Sequence, residues 1–387
     1  MRYEDALRSA GGARYPVRRE SDHGRSENAF DGAASHRLPG TAAMELRAAP
    51  LRVAAIGLGV YGQMVARLML DKGLELVAAV DRRAERAGRD VGSVLGLDAP
   101  IGLAIHAGGD EAIATLFAES RPDVCVVCTR TRLADVADTV AEVLRTGTHC
   151  LTLCEEAFFP HDLSTEPAAS LDRLGKAHRC TLSGVGFQDT IFGWMAVVLG
   201  ASSHRIDHIR VVLQYDADGP RLAESHGIGL DLASFEPVVA ASETQFYTAP
   251  VAEWLCAAFG WTVADVRTGI APVLSERAVH WPFCGLEITP GRATGMAATS
   301  LATTHEGPTV ECHCVGKVYD ATDRDFVECT LRGVPGMTLR IDQTALLEMT
   351  ASSLVNRIPD VIAAPAGFVT TNRLPAPRYW DGRPLPR

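Results

Sequence analysis

From Leu51 onward the apolar positions fall into short unbroken runs that alternate with stretches of helical spacing. Leu51–Ile56 is a first run, followed by a glycine cluster. Tyr61–Leu70 then has the three-to-four-residue spacing of a helix face. Leu74–Val80, Val124–Cys128 and Cys150–Cys154 are further runs, with helix-like stretches at Ile113–Phe117 and Val136–Leu144 between them. Strands apolar at every position are buried on both faces, as in a parallel sheet covered by helices. The pattern predicts a Rossmann-type, doubly wound α/β domain over residues 51–185. After Gly186 the style changes. Trp194–Leu199 is helical, strand-like alternation starts at Ile209, and Leu286 to Ile341 is rich in Gly, Thr and Val with turn signals. An α+β domain with an antiparallel or mixed sheet is predicted for 186–343. Thr344–Ile362 returns to helical spacing and stops before Pro365, so 344–387 reads as a closing helix and tail that pack back on the first domain. Residues 1–50 mix Arg, Asp, Glu, Ser, Gly and Ala without any period, which predicts a disordered tail.

Composition narrows the partners. Acidic residues outnumber basic ones by 47 to 37, a formal charge of -10. Nucleic acids and anionic membranes reward basic surfaces, so neither is expected as a partner. No apolar run approaches the ~20 residues of a membrane span, and the charged start lacks the apolar stretch of a signal peptide. The ten cysteines mostly lie inside apolar runs. Together these features predict a cytoplasmic protein with reduced core thiols. The 37 basic residues include only Lys72, Lys176 and Lys317 as lysines, so lysine chemistry has few candidates.

Gly57-Leu58-Gly59-Val60-Tyr61-Gly62 fits G-x-G-x-x-G. Alone the pattern is weak. Here it follows a strand, opens a helix, and is followed by Asp81 at the end of the next strand, about 20 residues on. Gly57 permits the turn, Gly59 lets a pyrophosphate approach the backbone, and Gly62 lets helix and strand pack. The helix N-terminus faces the phosphates, and Asp81 accepts hydrogen bonds from a ribose. Asp81 favours NAD because a carboxylate repels a 2′-phosphate. Arg82 and Arg83 follow at once and are suited to holding that phosphate. NAD is expected, with NADP possible.

The run Cys150–Cys154 ends in Glu155-Glu156-Ala157. Parallel sheets bind ligands at the carboxyl ends of their strands, so two acids here are placed for chemistry. A low-dielectric cleft and a like-charge neighbour would raise one carboxyl pKa toward neutrality, as proton transfer requires. In the large sugar-dehydrogenase group with this two-domain plan, a Glu-Lys-Pro tripeptide occupies the elbow and its lysine acts on the substrate. Glu156 and Ala157 stand in place of that Lys and Pro, so alcohol oxidation of that kind loses its catalytic residue. Cys125-x-x-Cys128 lies in a strand and Cys312-His313-Cys314 alternates along one, so neither spacing suits a metal, and no metal is expected.

Several further motifs join these. They are Asp90-Val91-Gly92, Cys154-Glu155-Glu156-Ala157, Gly186-Phe187-Gln188-Asp189, His204-Arg205-Ile206-Asp207, Glu224-Ser225-His226-Gly227, Asn356-Arg357-Ile358-Pro359 and Ala363-Ala364-Pro365. Over about residues 51–380 the sequence resembles the native amine dehydrogenases and 2,4-diaminopentanoate dehydrogenases, a dihydrodipicolinate-reductase-like family. The resemblance implies NAD(P)-dependent reductive amination of small ketones or aldehydes with ammonia, and the reverse deamination, in a homodimer. It puts the catalytic glutamate on Glu155, with Glu156 beside it. It puts the pocket lining on Phe187, Phe192, Tyr215 and His226, and more loosely on His313. Thr129, Arg130 and Asn356 complete the candidate cofactor contacts. Phe192 stands where the family leads one to expect a tryptophan, and the segment from Tyr215 to Pro220 is shorter and lacks an expected tyrosine. Rival readings are another imine or carbonyl reductase on the same fold, and a dinucleotide sensor without turnover.

Overall fold

The computed structural model describes residues 50–109, 111–160, 165–235 and 248–383. The tail expected over residues 1–50 therefore lies, but for Pro50, outside the described residues. Within them the chain runs β1 (Arg52–Ile56), α1 (Val60–Asp71), β2 (Glu75–Asp81), α2 (Val91–Leu95), β3 (His106–Ala107), α3 (Glu111–Ser120), β4 (Val124–Val127), α4 (Leu133–Arg145), β5 (His149–Thr152), α5 (Glu155–Phe158), α6 (Thr165–His178) and β6 (Thr181–Gly184). A π-helix over Gln188–Trp194 leads into α7 (Met195–Gly200), then β7 (Arg205–Asp216), α8 (Pro220–Ala223) and α9 (Ala249–Ala258). The strands β8 (Val263–Leu274), β9 (Val279–Trp281), β10 (Leu286–Ile288), β11 (Ala293–Thr304), β12 (Thr309–Lys317), β13 (Phe326–Val334) and β14 (Met337–Asp342) follow. Helix α10 (Leu346–Ala363) and a short β15 (Gly367–Phe368) close the chain.

The first sheet has the order β15-β6-β5-β4-β1-β2-β3 and every neighbouring pair is parallel. The order reverses beside β1, which makes the carboxyl ends of β1 and β4 the ligand-binding crevice of such a sheet. Strands β4 and β6 are buried at every position, as their unbroken apolar runs require. Helix α10 lays Leu354, Val355 and Ile358 into the same apolar cluster as Val53 of β1 and Met69 of α1, and Trp380 completes that cluster. The last strand, β15, joins the first sheet at its edge beside β6.

The second sheet has the order β14-β13-β7-β12-β11-β8. It is mixed, because β7 and β12 run parallel while its other pairs are antiparallel. One face carries Val211, Leu213, Cys312, Cys314, Cys329 and Ala298 into an apolar core closed by Trp254 of α9 and by Phe158, Phe187 and Phe192. The other face of β12 presents Glu311, His313 and Val315, which alternate with the buried positions.

The boundaries differ from expectation in three places. The run Cys150–Cys154 is not all strand. β5 ends at Thr152, whose Oγ1 accepts the Cys154 N–H at 3.0 Å and turns the chain into α5. β7 starts at Arg205 rather than Ile209, with Arg205 and Asp207 paired at 2.9 Å on its exposed side. The helix expected from Trp194 is preceded by the π-helix, whose wider turn buries Asp189 and Phe192 together. All ten cysteines are free thiols. No group of His, Cys, Asp or Glu suited to a metal ion is found among the described residues, and no helix among them is long and apolar enough to cross a membrane.

Candidate active site

The glycine loop joins β1 to α1 at the crevice. A Cβ on Gly62 would lie 1.8 Å from the Gly57 carbonyl oxygen, so helix and turn approach as closely as they do only because no side chain intervenes. Around Gly59 no atom lies within 4 Å of the Cβ position, which leaves that stretch of backbone open. Thr129, exposed just past β4, backs the loop, and Arg130 is exposed beside it. Val60 and Tyr61 are exposed on the first turn of α1. An open backbone at a helix N-terminus suits a pyrophosphate.

Asp81 ends β2 and is buried. Its Oδ2 accepts the Leu58 N–H at 2.8 Å, and its Oδ1 accepts the Arg83 N–H at 2.9 Å. The guanidinium that meets it is that of Arg86, at 2.7 Å, and Arg86 also bonds the Leu58 carbonyl. Burial opposes the charge, but the Arg83 and Leu58 amides and Arg86 outweigh it and hold the carboxyl below its ordinary range. The expectation placed Arg82 and Arg83 at this position. Both side chains are exposed, and Arg83 contributes only its amide. The one-turn 3₁₀ segment Ala84–Arg86 folds back and delivers the later arginine. A carboxylate has about four lone-pair sites, so Asp81 with three donors keeps acceptor capacity for a ribose hydroxyl. These residues fit a dinucleotide. Asn356 is engaged elsewhere, since its Oδ1 accepts the Trp380 N–H at 3.2 Å.

The acidic elbow separates its two glutamates. Glu156 is buried, and its Oε2 accepts the N–H of Leu133, the first residue of α4, at 2.8 Å. Its own N–H bonds the Thr131 carbonyl at 3.2 Å. Glu156 thus ties the elbow to a helix N-terminus. Glu155 Oε2 is sealed from solvent and has no hydrogen-bond partner among the described residues. Burial pushes its carboxyl pKa well above the ordinary value, and burial is the whole cause. The expected contribution from a like-charged neighbour is absent. Burial also raises the Cys314 thiol to about 12, with a smaller push from Glu155. Cys314 itself sits on the inward face of β12, the face that carries the second apolar core. Phe158, one turn beyond Glu155, stacks on Trp254 with ring centroids 5.7 Å apart and anchors the elbow in the second core.

The inward face carries the aromatic candidates. Phe187 and Phe192 meet edge to face at 5.6 Å, on either side of the π-helix start. Tyr215 on β7 pairs with Gly316 on β12, two positions beyond Cys314 on the same face. Its hydroxyl lies 2.5 Å from Nε2 of the buried His226. Burial drives the His226 pKa down to about 4, against a smaller opposing pull from the Leu222 carbonyl. His313 does not join this group. It sits on the opposite face of β12 from Cys314, 2.7 Å from Glu311, where strand parity carries it away from Glu155. Arg86, Ser225 and Gly316 are the residues at these sites that sequence reasoning missed. The hairpin-like return at Arg86 had a weak signal in its proximity to Asp81, Ser225 stood in the Glu224–Gly227 motif without a role of its own, and Gly316 had no signal.

Residues 190–383 match the model of the 2,4-diaminopentanoate dehydrogenase C-terminal domain. A 2,4-diaminopentanoate dehydrogenase of Acetoanaerobium sticklandii is 24% identical over 349 residues, 85% of this chain and 94% of that protein. The structure of an amine dehydrogenase from Mycobacterium smegmatis is similar at a TM-score of 0.78 and 33% identity, covering 87% of this chain and 99% of that one. A probable dehydrogenase from Thermotoga maritima shares the fold alone, at a TM-score of 0.55 and 15% identity over 86% of this chain and 92% of its own.

Proposed function

The chain belongs to the 2,4-diaminopentanoate dehydrogenase family, and from that premise we propose that it is a dinucleotide-dependent amine dehydrogenase. It joins ammonia to a small ketone or aldehyde reductively and runs the reverse deamination. One observation carries the assignment of roles. At the carboxyl end of a central parallel strand, Glu155 Oε2 is sealed from solvent without a hydrogen-bond partner among the described residues, and burial raises the pKa of its carboxyl group well above the ordinary value. Such a group is expensive unless a ligand completes it, and a cationic nitrogen is the ligand that does so.

The glycine loop Gly57–Gly62, Asp81, Arg86, Thr129 and Arg130 would hold the dinucleotide, which supplies hydride when bound. NAD is the preferred cofactor in this reading, because Asp81 is ionised where the adenosine ribose is expected. Arg86 offsets part of that charge, so NADP is tolerated. Ammonia adds to the carbonyl carbon. Glu155 then gives its proton to the departing hydroxyl, water leaves, and the carboxylate so formed faces the iminium cation. Hydride addition to the iminium carbon yields the amine. Glu156 keeps the elbow in place through Leu133. Phe187, Phe192 and the inward face of the second sheet exclude water, which suits a small apolar carbonyl compound. A homodimer working in the cytoplasm is part of the same reading.

The test is a panel of small ketones and aldehydes with NADH and with NADPH, each with and without ammonia. The reading expects cofactor oxidation that requires ammonia. Oxidation that proceeds equally without ammonia would make the protein a carbonyl or imine reductase instead. Tight cofactor binding with no turnover across the panel would make it a sensor.

A further inference from the structure

The two residues that flank Glu155 donate to one carbonyl. Cys154 Sγ lies 3.0 Å from the Thr131 oxygen, and the Glu156 N–H reaches the same oxygen at 3.2 Å. A carbonyl can only accept, so the thiol is the donor. Burial is the main cause that raises the Cys154 pKa to about 12, so the thiol keeps its proton at any working pH. Cys154 stands at the N-cap of α5, yet its side chain makes no capping bond to its own helix. It is turned to the neighbouring segment instead. Thr152 sets its backbone, because the threonine hydroxyl donates to the Val127 carbonyl at 3.0 Å and accepts the Cys154 N–H at 3.0 Å. Both Cys154 and Thr152 are buried.

The segment that receives these bonds also backs the glycine loop. Thr129 Cγ2 and the Cys128 carbonyl oxygen each lie 2.6 Å from the place that a Cβ on Gly57 would take. Leu133, four residues past Thr129, donates its N–H to Glu156 Oε2 at 2.8 Å. Residues 129–133 thus meet the turn assigned to the dinucleotide at one end and the Glu155 peptide at the other. Glu155 Oε2 has no hydrogen bond of its own among the described residues, so the backbone that carries the side chain sets its place. We propose that Cys154 is a positioning residue for Glu155: its thiol and the Glu156 amide together clamp the Glu155 peptide to the Thr131 carbonyl, on the segment that backs the dinucleotide loop. The role of Glu155 in this inference rests on the amine dehydrogenase reading. Alanine at position 154 removes one of the two donors and leaves the peptide held from one side. Serine supplies a donor again.

The experiment compares the wild-type protein with Cys154→Ala and Cys154→Ser, each alone and combined with Glu155→Gln. For each, kcat, KM for ammonia, KM for the carbonyl substrate, NADH affinity and melting temperature are measured. Cys154→Ala is expected to lower kcat by about 10- to 100-fold, the usual effect of displacing a reacting group, with both KM values and NADH affinity kept. Cys154→Ser differs from it by one hydroxyl and should restore most of the loss. In the Glu155→Gln background Cys154→Ala should change kcat by no more than about 2-fold, because it acts through Glu155. Unchanged kcat in Cys154→Ala, equal losses with and without Glu155→Gln, or a serine variant no better than the alanine one would overturn the proposal. If Cys154→Ala fails to fold, Thr152→Val, which releases the Cys154 amide, takes its place with the same expectations. A wild type without ammonia-dependent turnover refutes the underlying reading instead, and melting then judges the clamp by itself. The rise in melting temperature that Glu155→Gln brings near about pH 7 should be kept with Cys154→Ser and shrink with Cys154→Ala. An equal rise in both backgrounds contradicts the clamp.

Discussion

Glu155 and Glu156 are adjacent in the chain, yet Glu156 Oε2 is bonded to the Leu133 N–H at 2.8 Å while Glu155 Oε2 is buried without a partner among the described residues. The helical turn of α5 produces the difference by pointing consecutive side chains about 100° apart. Glu156 meets the N-terminus of α4, where a carboxylate is stabilised by the free amides and the helix dipole. Replacing Glu156 by Gln keeps an acceptor and removes the charge. The expected cost is about 1 kcal/mol of stability, seen as a lower denaturant midpoint, with a turnover loss smaller than that of Glu155→Gln. A larger turnover loss at Glu156 would move the catalytic role to it.

The burial of Glu155 makes stability depend on pH in a definite direction. Its folded pKa is raised, so the folded protein keeps a proton that the unfolded chain releases near its ordinary value. Stability is therefore lost as pH climbs above the ordinary carboxylate range, until the folded group ionises as well. Glu155→Gln removes this penalty. In cofactor-free protein the variant should melt with the wild type near about pH 4 and above it near about pH 7. A difference that does not change with pH would mean that Glu155 titrates normally.

Asp81 and Arg86 set the balance between cofactors. Removing the guanidinium by Arg86→Ala leaves the Asp81 charge uncompensated, so affinity for NADPH should fall more than affinity for NADH. Asp81→Ala releases Arg86 and should shift preference toward NADPH. Dissociation constants for both reduced cofactors, from fluorescence titration, check the two variants together. If Arg86→Ala weakens both cofactors equally, the arginine serves only to hold the loop.

Much of this was legible from the chain, and the failures have physical causes. The first sheet could be read because its strands are apolar at every position, a pattern that only two-sided burial produces. Asp81 and the Gly57–Gly62 loop could be read because their spacing follows from the strand and helix they join. Arg86 could not, because a single 3₁₀ turn brings it back to Asp81 past two nearer arginines. His313 was grouped with the pocket, although strand parity places it with Glu311 on the other face, and parity has meaning only once the inward face is known. The contact between Tyr215 and His226 joins residues eleven apart through a turn and depends on the glycine of a third segment. No local pattern encodes that.

Arg357 offers a test of the packing behind the pocket. Fully buried, it pairs with Asp189 at 2.6 Å and with Asp360 at 3.0 Å, and so ties the first turn of the π-helix to α10. Arg357→Met strands the buried Asp189 and leaves Asp360 only its 3.2 Å pair with Arg378. Breaking a buried pair in this way costs about 3–5 kcal/mol, and the denaturant midpoint should fall accordingly. A variant as stable as the wild type would show that the π-helix is held by its apolar contacts alone.

The central claim is that Glu155 moves the proton needed for water loss and balances the iminium charge. Glu155→Gln preserves shape and removes both capacities. Turnover in ammonia-dependent reduction, cofactor affinity and melting temperature should be measured together on this variant. The account predicts a turnover loss of about 100- to 10,000-fold, with NADH affinity kept and the fold intact. Turnover close to that of the wild type would contradict it.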